Sequence, residues 1–255
     1  MTSEESATQF KEIKGQKIAL RFSQGKKHPS LMWLGGYLSD MCGTKACFLQ
    51  SFAQQNDISL LRFDYSGHGE SEGEFYSQTL SDWLEQALAL YQEFYAQEAV
   101  VLVGSSMGGW LALKMAQHLY EQQKPLKALV LLAPAPDFAT RLIVPKLTKA
   151  QQDTLQKQGF CALDPRADPI KPSRIITQNF IQDSQRHLIM HSPLQLGCPV
   201  YILQGMQDQA VPYQHVLELM EYLPMENSLL TLIKDADHRL SRPQDLQKLQ
   251  QILLL

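Results

Sequence analysis

The stretch Val100-Val101-Leu102-Val103-Gly104-Ser105-Ser106-Met107-Gly108-Gly109 decides the fold. Four aliphatic residues in a row read as a strand buried on both faces. Gly-x-Ser-x-Gly follows from Gly104 to Gly108, with Ser106 at its centre. Trp110, Leu111, Leu113 and Met115 then recur at helical spacing, which predicts a helix from Met107 to about Tyr120. Strand, tight turn and helix in that order are the setting of a nucleophile elbow. The turn aims a serine hydroxyl and the next backbone N–H away from the sheet, and flanking Cβ atoms would clash in it. Outside that setting the same residues would be a helix-capping turn. Ser105 lacks the flanking glycines in register and is the poorer candidate.

Working outward, the pattern repeats. Upstream, Thr8–Ile13 and Lys17–Ser23 flank Lys14-Gly15-Gln16 and predict a hairpin. Leu31–Leu34 and Ile58–Phe63 read as strands, Thr44–Ala53 and Leu80–Tyr95 as helices. Downstream come strands at Leu126–Leu132, Val200–Leu203 and Leu229–Ile233, a helix at Val211–Tyr222, and a closing helix from about Pro243. Alternating strands and helices imply βαβ units and right-handed crossovers. The expected fold is α/β: a mostly parallel central sheet of about eight strands flanked by helices, with an antiparallel N-terminal hairpin. Between Pro134 and Pro199 the rhythm breaks, with helix-like pieces at Thr148–Lys157 and Ile175–His187 and prolines at 136, 145, 165, 169, 172 and 193. So long an insertion exceeds an ordinary loop. It reads as a small helical cap at about 135–198 on a core of 1–134 and 199–255, all within a single domain of 1–255. A structural excursion with no part in binding is the other reading.

Composition narrows the function. The chain has 255 residues, 44% hydrophobic, with 23 Lys+Arg against 26 Asp+Glu and a net charge of −3. That balance lacks the basic stripe of a nucleic-acid binder. No apolar run approaches the roughly 20 residues that span a bilayer, so stable membrane insertion is not expected. The polar, acidic start Met1-Thr2-Ser3-Glu4-Glu5-Ser6 has neither a signal-peptide nor a transit-peptide pattern. Cys42, Cys47, Cys161 and Cys198 show no metal or disulfide spacing and read as reduced thiols. The expected location is cytoplasmic. Oligomeric state is not legible.

A serine needs a base. Among the seven histidines, His238 follows the Leu229–Ile233 strand in Lys234-Asp235-Ala236-Asp237-His238, a strand-end loop of the kind in which an α/β sheet builds its site. His187 and His191 have metal-ligand spacing but lack the adjacent Glu of a zinc protease. His28, His68, His118 and His215 sit in a turn, a loop or helices. Asp208, in the loop after Val200–Leu203, is the candidate to orient His238; Asp137 could do so instead. The order Ser106, Asp208, His238 is that of α/β-hydrolases. For a developing oxyanion, the Met107 N–H is one donor and the Tyr37 N–H, or else Gly36, the second.

These residues resemble the α/β-hydrolase superfamily over nearly the whole chain. Arg62-Phe63-Asp64-Tyr65-Ser66-Gly67-His68-Gly69-Glu70-Ser71 matches its Asp-x-x-Gly-x-Gly-x-Ser loop, and Leu34-Gly35-Gly36-Tyr37 stands where the family has His-Gly-Phe or His-Gly-Gly, with Gly35 replacing the histidine. Gly36 to Ala46, Arg62 to Gly67 and Gly104 to Trp110 together are similar to the acyl-protein thioesterase and acyl-glucuronide esterase branch.

The expected function is cleavage of carboxylic ester or thioester bonds through an acyl-enzyme, with Ser106, Asp208 and His238 as catalytic residues and neither metal nor cofactor. A small or acylated molecule is the expected substrate. Gly36, Phe138 and Leu142 are candidate substrate contacts. Apolar Phe138, Leu142, Ile143, Phe160, Ile175 and Phe180 either line an acyl pocket or form the cap's own core. C–C bond hydrolysis on the same triad and a catalytically silent binding protein are the alternatives. A dehalogenase would need Asp at position 106, which Ser106 excludes.

Overall fold

A computed structural model describes residues 7–96, 98–124, 126–164 and 175–254. The chain begins with β1 (Gln9–Ile13) and β2 (Gln16–Ser23), the expected antiparallel hairpin. Strand β3 (Lys27–Leu34), helix α1 (Thr44–Asn56), β4 (Ile58–Phe63) and α2 (Leu80–Tyr95) follow. Then come β5 (Val100–Ser105), α3 (Met107–Glu121) and β6 (Ala128–Leu132). After the insertion the core resumes.

The insertion opens with a π-turn and a 3-10 turn over residues 139–146, then α4 (Lys149–Gln158), β7 (Phe160–Ala162), β8 (Ile175–Thr177) and α5 (Gln178–Ser184). Two of its elements differ from expectation. Ile175–Thr177 is a strand, not the start of a helix, and it pairs antiparallel with Phe160–Ala162. The insertion is thus helices plus a two-stranded ribbon. Residues 165–174, which include Pro165, Pro169 and Pro172, lie outside the described residues, as do residues 1–6.

The core closes with β9 (Val200–Gly205), α6 (Tyr213–Met220), β10 (Ser228–Ile233) and α7 (Pro243–Leu253). The eight-stranded sheet runs β1-β2-β4-β3-β5-β6-β9-β10. From β4 to β10 every pairing is parallel, and β2 joins β4 antiparallel. Alternate residues of one strand face opposite sides. Met32 and Leu34 pack on the side of α2, α3 and the cap, while Leu31 and Trp33 pack toward α1 and α7. Burial on both faces explains why β5 and β6 are unbroken apolar runs. Among the described residues no helix is long and apolar enough to cross a membrane.

One contact sets where α3 lies. A Cβ on Gly108 would stand 2.0 Å from the Leu34 carbonyl oxygen, and one on Gly104 would stand 2.4 Å from the Gly108 oxygen. Only hydrogen fits at either position, so the helix drops onto the ends of β3 and β5. The cap is pinned to this core by polar contacts. Ser81, in the first turn of α2, donates its hydroxyl and its N–H to the two Asp183 carboxylate oxygens at 2.7 and 2.8 Å. Trp110 of α3 donates to the His187 carbonyl at 3.1 Å.

Gly108→Ala forces backbone apart and is expected to cost about 1–3 kcal/mol as an overpacked site. Thermal unfolding followed by circular dichroism should show Tm lowered by several degrees; an unchanged Tm would refute the close approach.

Candidate active site

The elbow places Ser106 at φ 55°, ψ −116°, a left-handed conformation that costs energy for a residue with a Cβ. It is held by Ser106 N–H donating to the Leu132 carbonyl at 2.9 Å and by its own carbonyl accepting from Gly109 and Ala135. The hydroxyl then stands clear of the sheet. His238 Nε2 lies 3.1 Å from Ser106 Oγ, and His238 Nδ1 lies 2.7 Å from Asp208 Oδ2. The Asp208 side chain is fully buried and that of His238 is one-third exposed. Asp208 also accepts from the Ala210 and Val211 N–H groups, at 2.9 and 2.8 Å, and from Gln204 Nε2 at 3.2 Å. A carboxylate with that many donors keeps its orientation in a buried place. It therefore holds a proton on Nδ1 and leaves Nε2 free to accept from the serine.

Asp137 does not share this role. Its carboxylate accepts from the Ile189 and Met190 N–H groups at 3.0 and 2.9 Å, which ties the cap's exit to the end of β6. Burial pushes its pKa up and those two bonds pull it down. Three further histidines have partners elsewhere. His215 Nε2 meets the Pro136 carbonyl, His118 meets Gln122, and His191 meets the Leu188 carbonyl. His187 Nε2 lies 2.7 Å from Ser81 Oγ, which gives a second Ser-His-Asp cluster with Asp183. There the serine donates to the carboxylate and not to the imidazole, so it is a fastening and not an activated nucleophile. No group of three or more His, Cys, Asp or Glu among the described residues could hold a metal ion.

Gly36, Tyr37 and Met107, the residues expected to face an oxyanion, lie near Ser106 in space or in sequence. Met107 is the first residue of α3, so its N–H has no partner within the helix. Gly36 lies against Ser106: a Cβ there would stand 3.5 Å from the Ser106 Cβ. The Tyr37 ring packs on Phe75, Trp83, Phe138 and Phe180. Its hydroxyl is buried without a partner, and burial pushes its pKa up.

His68, a loop histidine in the sequence, has a structural task. His68 is buried; its Nε2 lies 3.1 Å from the Leu38 N–H and its Nδ1 3.2 Å from the Ser66 carbonyl. Nδ1 thus carries the proton, and Nε2 accepts from Leu38, a residue held at φ 58° next to Tyr37. Burial lowers the His68 pKa to about 4. Asp64 supports the same loop, accepting from Met41 N–H at 2.6 Å and Glu70 N–H at 2.8 Å. The Asp-x-x-Gly-x-Gly-x-Ser match was the available signal, since it put His68 and Asp64 in one tight loop.

A cavity of about 470 Å³ opens beside Ser106 and His238. Its walls include Tyr37, Ala135, Phe138, Leu142, Ile143, Leu147, Leu163 and Val211. Phe138, Leu142 and Ile143 therefore line the cavity as expected. Phe160, Ile175 and Phe180 do not: Phe180 and Ile175 belong to the buried core, and Phe160 stacks on Tyr76. Gly36 also stays outside this cavity and borders a different cleft.

In acid, the unfolded chain protonates histidine near pH 6.5, whereas folded His68 resists until about 4. Stability is therefore expected to fall as pH drops through that window. His187 and His215, whose pKa values burial also lowers, act in the same sense. The Tm difference between the parent and His68→Gln should change with pH between 4 and 6.5; a constant difference would refute the neutral buried His68.

Residues 31–159 match the family described as serine aminopeptidase, S33 (Hydrolase_4). The palmitoyl-protein thioesterase ABHD10, mitochondrial, of Mus musculus is 31% identical over 223 residues, 88% of this chain and 73% of that one. The solved structure of mouse α/β hydrolase domain-containing protein 10 superposes with a TM-score of 0.85 at 30% identity, over 97% of both chains. A protein of Agrobacterium vitis S4 described as a hydrolase superposes with a TM-score of 0.90 at 40% identity, over 98% of this chain and 97% of that one. With an elbow serine, a parallel sheet and these relatives, the chain belongs to the α/β-hydrolase superfamily of serine hydrolases, in the serine aminopeptidase S33 family and on its thioesterase branch.

Proposed function

We propose that this chain hydrolyses acyl thioesters or esters through an acyl-enzyme, with Ser106 as nucleophile, His238 as base and Asp208 as its orienting acid. The observation that carries the reading is His238 bridging Asp208 and Ser106 at 2.7 and 3.1 Å. Ser106 Oγ attacks the carbonyl carbon while its proton passes to Nε2. The negative charge on the former carbonyl oxygen is met by the Tyr37 and Met107 amides. Collapse breaks the bond to the leaving oxygen or sulfur, which takes the proton from Nε2. Water then attacks the acyl-enzyme by the same base, releasing the acid and free Ser106. No step calls for a metal or cofactor.

The cavity has an apolar wall that supports an acyl occupant, with Lys146, Gln151 and Gln209 as polar groups on the rest of its lining. Leu142, Ile143, Leu147 and Val211 on its walls replace water around an alkyl chain. Relatives named palmitoyl-protein thioesterase support the thioester reading. A cytoplasmic location belongs to the same proposal and rests on composition: Cys42, Cys47, Cys161 and Cys198 are all free. The relatives named ABHD10 are mitochondrial.

Labelling by a fluorophosphonate probe tests the nucleophile. The parent should label and Ser106→Ala should not, while circular dichroism stays the same; labelling of the variant would sink the assignment. Each CH2 buried in the cavity is worth about 0.8 kcal/mol. In a series of acyl thioesters, kcat/KM should therefore rise about fourfold per CH2 until the cavity is full. A flat series would refute the acyl cavity.

A further inference from the structure

The acyl mechanism uses one of the two spaces beside Ser106. A second cleft, of about 170 Å³, touches the same Ser106 and His238 and shares none of the apolar walls Leu142, Leu147 and Val211. It is bordered by Trp33, Gly36, Ser39, Lys45 and Arg239. It continues into an outer space of about 340 Å³ that again has Trp33, Ser39, Lys45 and Arg239 on its walls.

Charge is distributed unevenly along it. The inner part, against Ser106, has two cations on its walls, Lys45 and Arg239, and no carboxylate. The one carboxylate on the walls, Asp40, borders only the outer part. Lys45 comes from the first turn of α1 and Arg239 directly follows His238, so the two cations reach the cleft from opposite ends of the chain. Lys45 Nζ donates to the Arg239 carbonyl, which fixes the ammonium at the cleft. Neither side chain forms an ion pair among the described residues. Burial and the Arg239 charge lower the Lys45 pKa to about 8, against the pull of Asp237 and Asp245. The Lys45 ammonium is half-buried and the neighbouring Arg239 is exposed, and the field of two adjacent cations attracts an anion between them.

A third donor stands in the same wall. The Trp33 indole N–H is buried, 3% of the residue being exposed, and has no hydrogen-bond partner. A buried donor without a partner is unfavourable unless a ligand supplies the acceptor. Indole N–H, ammonium and guanidinium offer donors only, so they select an acceptor-rich group. A phosphate dianion offsets both cations and presents several oxygens, whereas a carboxylate offsets one.

We propose that this cleft is a leaving-group subsite in which Lys45, Arg239 and the Trp33 N–H hold a phosphate carried by the alcohol or thiol that the reaction releases. The inference rests on the serine-hydrolase reading. It divides the substrate at Ser106, with the acyl chain among Leu142, Leu147 and Val211 and the phosphate-bearing part beside Arg239.

Three hexanoyl esters test it on the full chain: of phenol, of 4-hydroxybenzoate and of 4-hydroxyphenyl phosphate. The readout is the kcat/KM of each anionic ester divided by that of the phenyl ester. Comparing one ratio between parent and variant cancels the intrinsic reactivity of the leaving group. In Lys45→Met/Arg239→Gln the phosphate ratio should fall at least tenfold, and Lys45→Arg should keep most of it. If the double variant does not fold, Arg239→Gln alone, at an exposed position, should lower the ratio several-fold. An unchanged phosphate ratio would overturn the subsite, and so would a carboxylate ratio that falls as far as the phosphate one. A parent that labels with fluorophosphonate but shows no phosphate preference overturns the subsite alone. A parent that neither labels nor turns over any ester overturns the catalytic reading with it.

Discussion

Everything at this site depends on how closely α3 approaches β3. With no side chain on Gly108, its backbone comes within contact of the Leu34 carbonyl, and Gly104 admits the return of the same helix. That approach forces the turn between β5 and α3 to be tight, and the tight turn holds Ser106 in its left-handed conformation. It also brings the start of α3 beside the residues that follow β3, with Gly36 against Ser106. A larger residue at Gly108 would move the start of α3 away from the Leu34 and Gly35 carbonyls, and Ser106 with it.

Around this fixed point the loops are tied by buried polar groups, each with its donors supplied. Asp208 takes two backbone N–H groups and a glutamine before it takes His238. Asp64 and His68 perform the equivalent service for the segment after β3, through Met41 and Leu38. Asp137 does so for the cap's exit. Buried carboxylates are costly unless satisfied, so each marks a place where chain direction is fixed by hydrogen bonds instead of by apolar packing. Polar fastening of this kind suits a site, because it sets direction to within a hydrogen bond.

Much of this was legible in the sequence, for physical reasons. Strands buried on two faces leave continuous apolar runs, so β5, β6 and β9 could be read directly. The elbow could be read because few residues tolerate its geometry. Asp208 and His238 could be read because each follows a strand at the edge where such sheets place their loops. What was not legible depends on partners distant in the chain. The ribbon of Phe160–Ala162 with Ile175–Thr177 has strands of three residues, too short for a period, and the second runs straight into α5. Asp137 and Asp208 both follow sheet strands, and only the fold decides which reaches His238. Phe138 and Phe180 are alike in sequence, yet one reaches the cavity and the other fills the core beneath it.

Tyr37 belongs to two assemblies at once. Its amide faces the reacting oxygen in the proposed mechanism, while its ring sits among Phe138 and Phe180 of the insertion and Phe75 and Trp83 of the core. Loosening of the insertion therefore reaches the chemistry through one side chain, without any change at Ser106, Asp208 or His238.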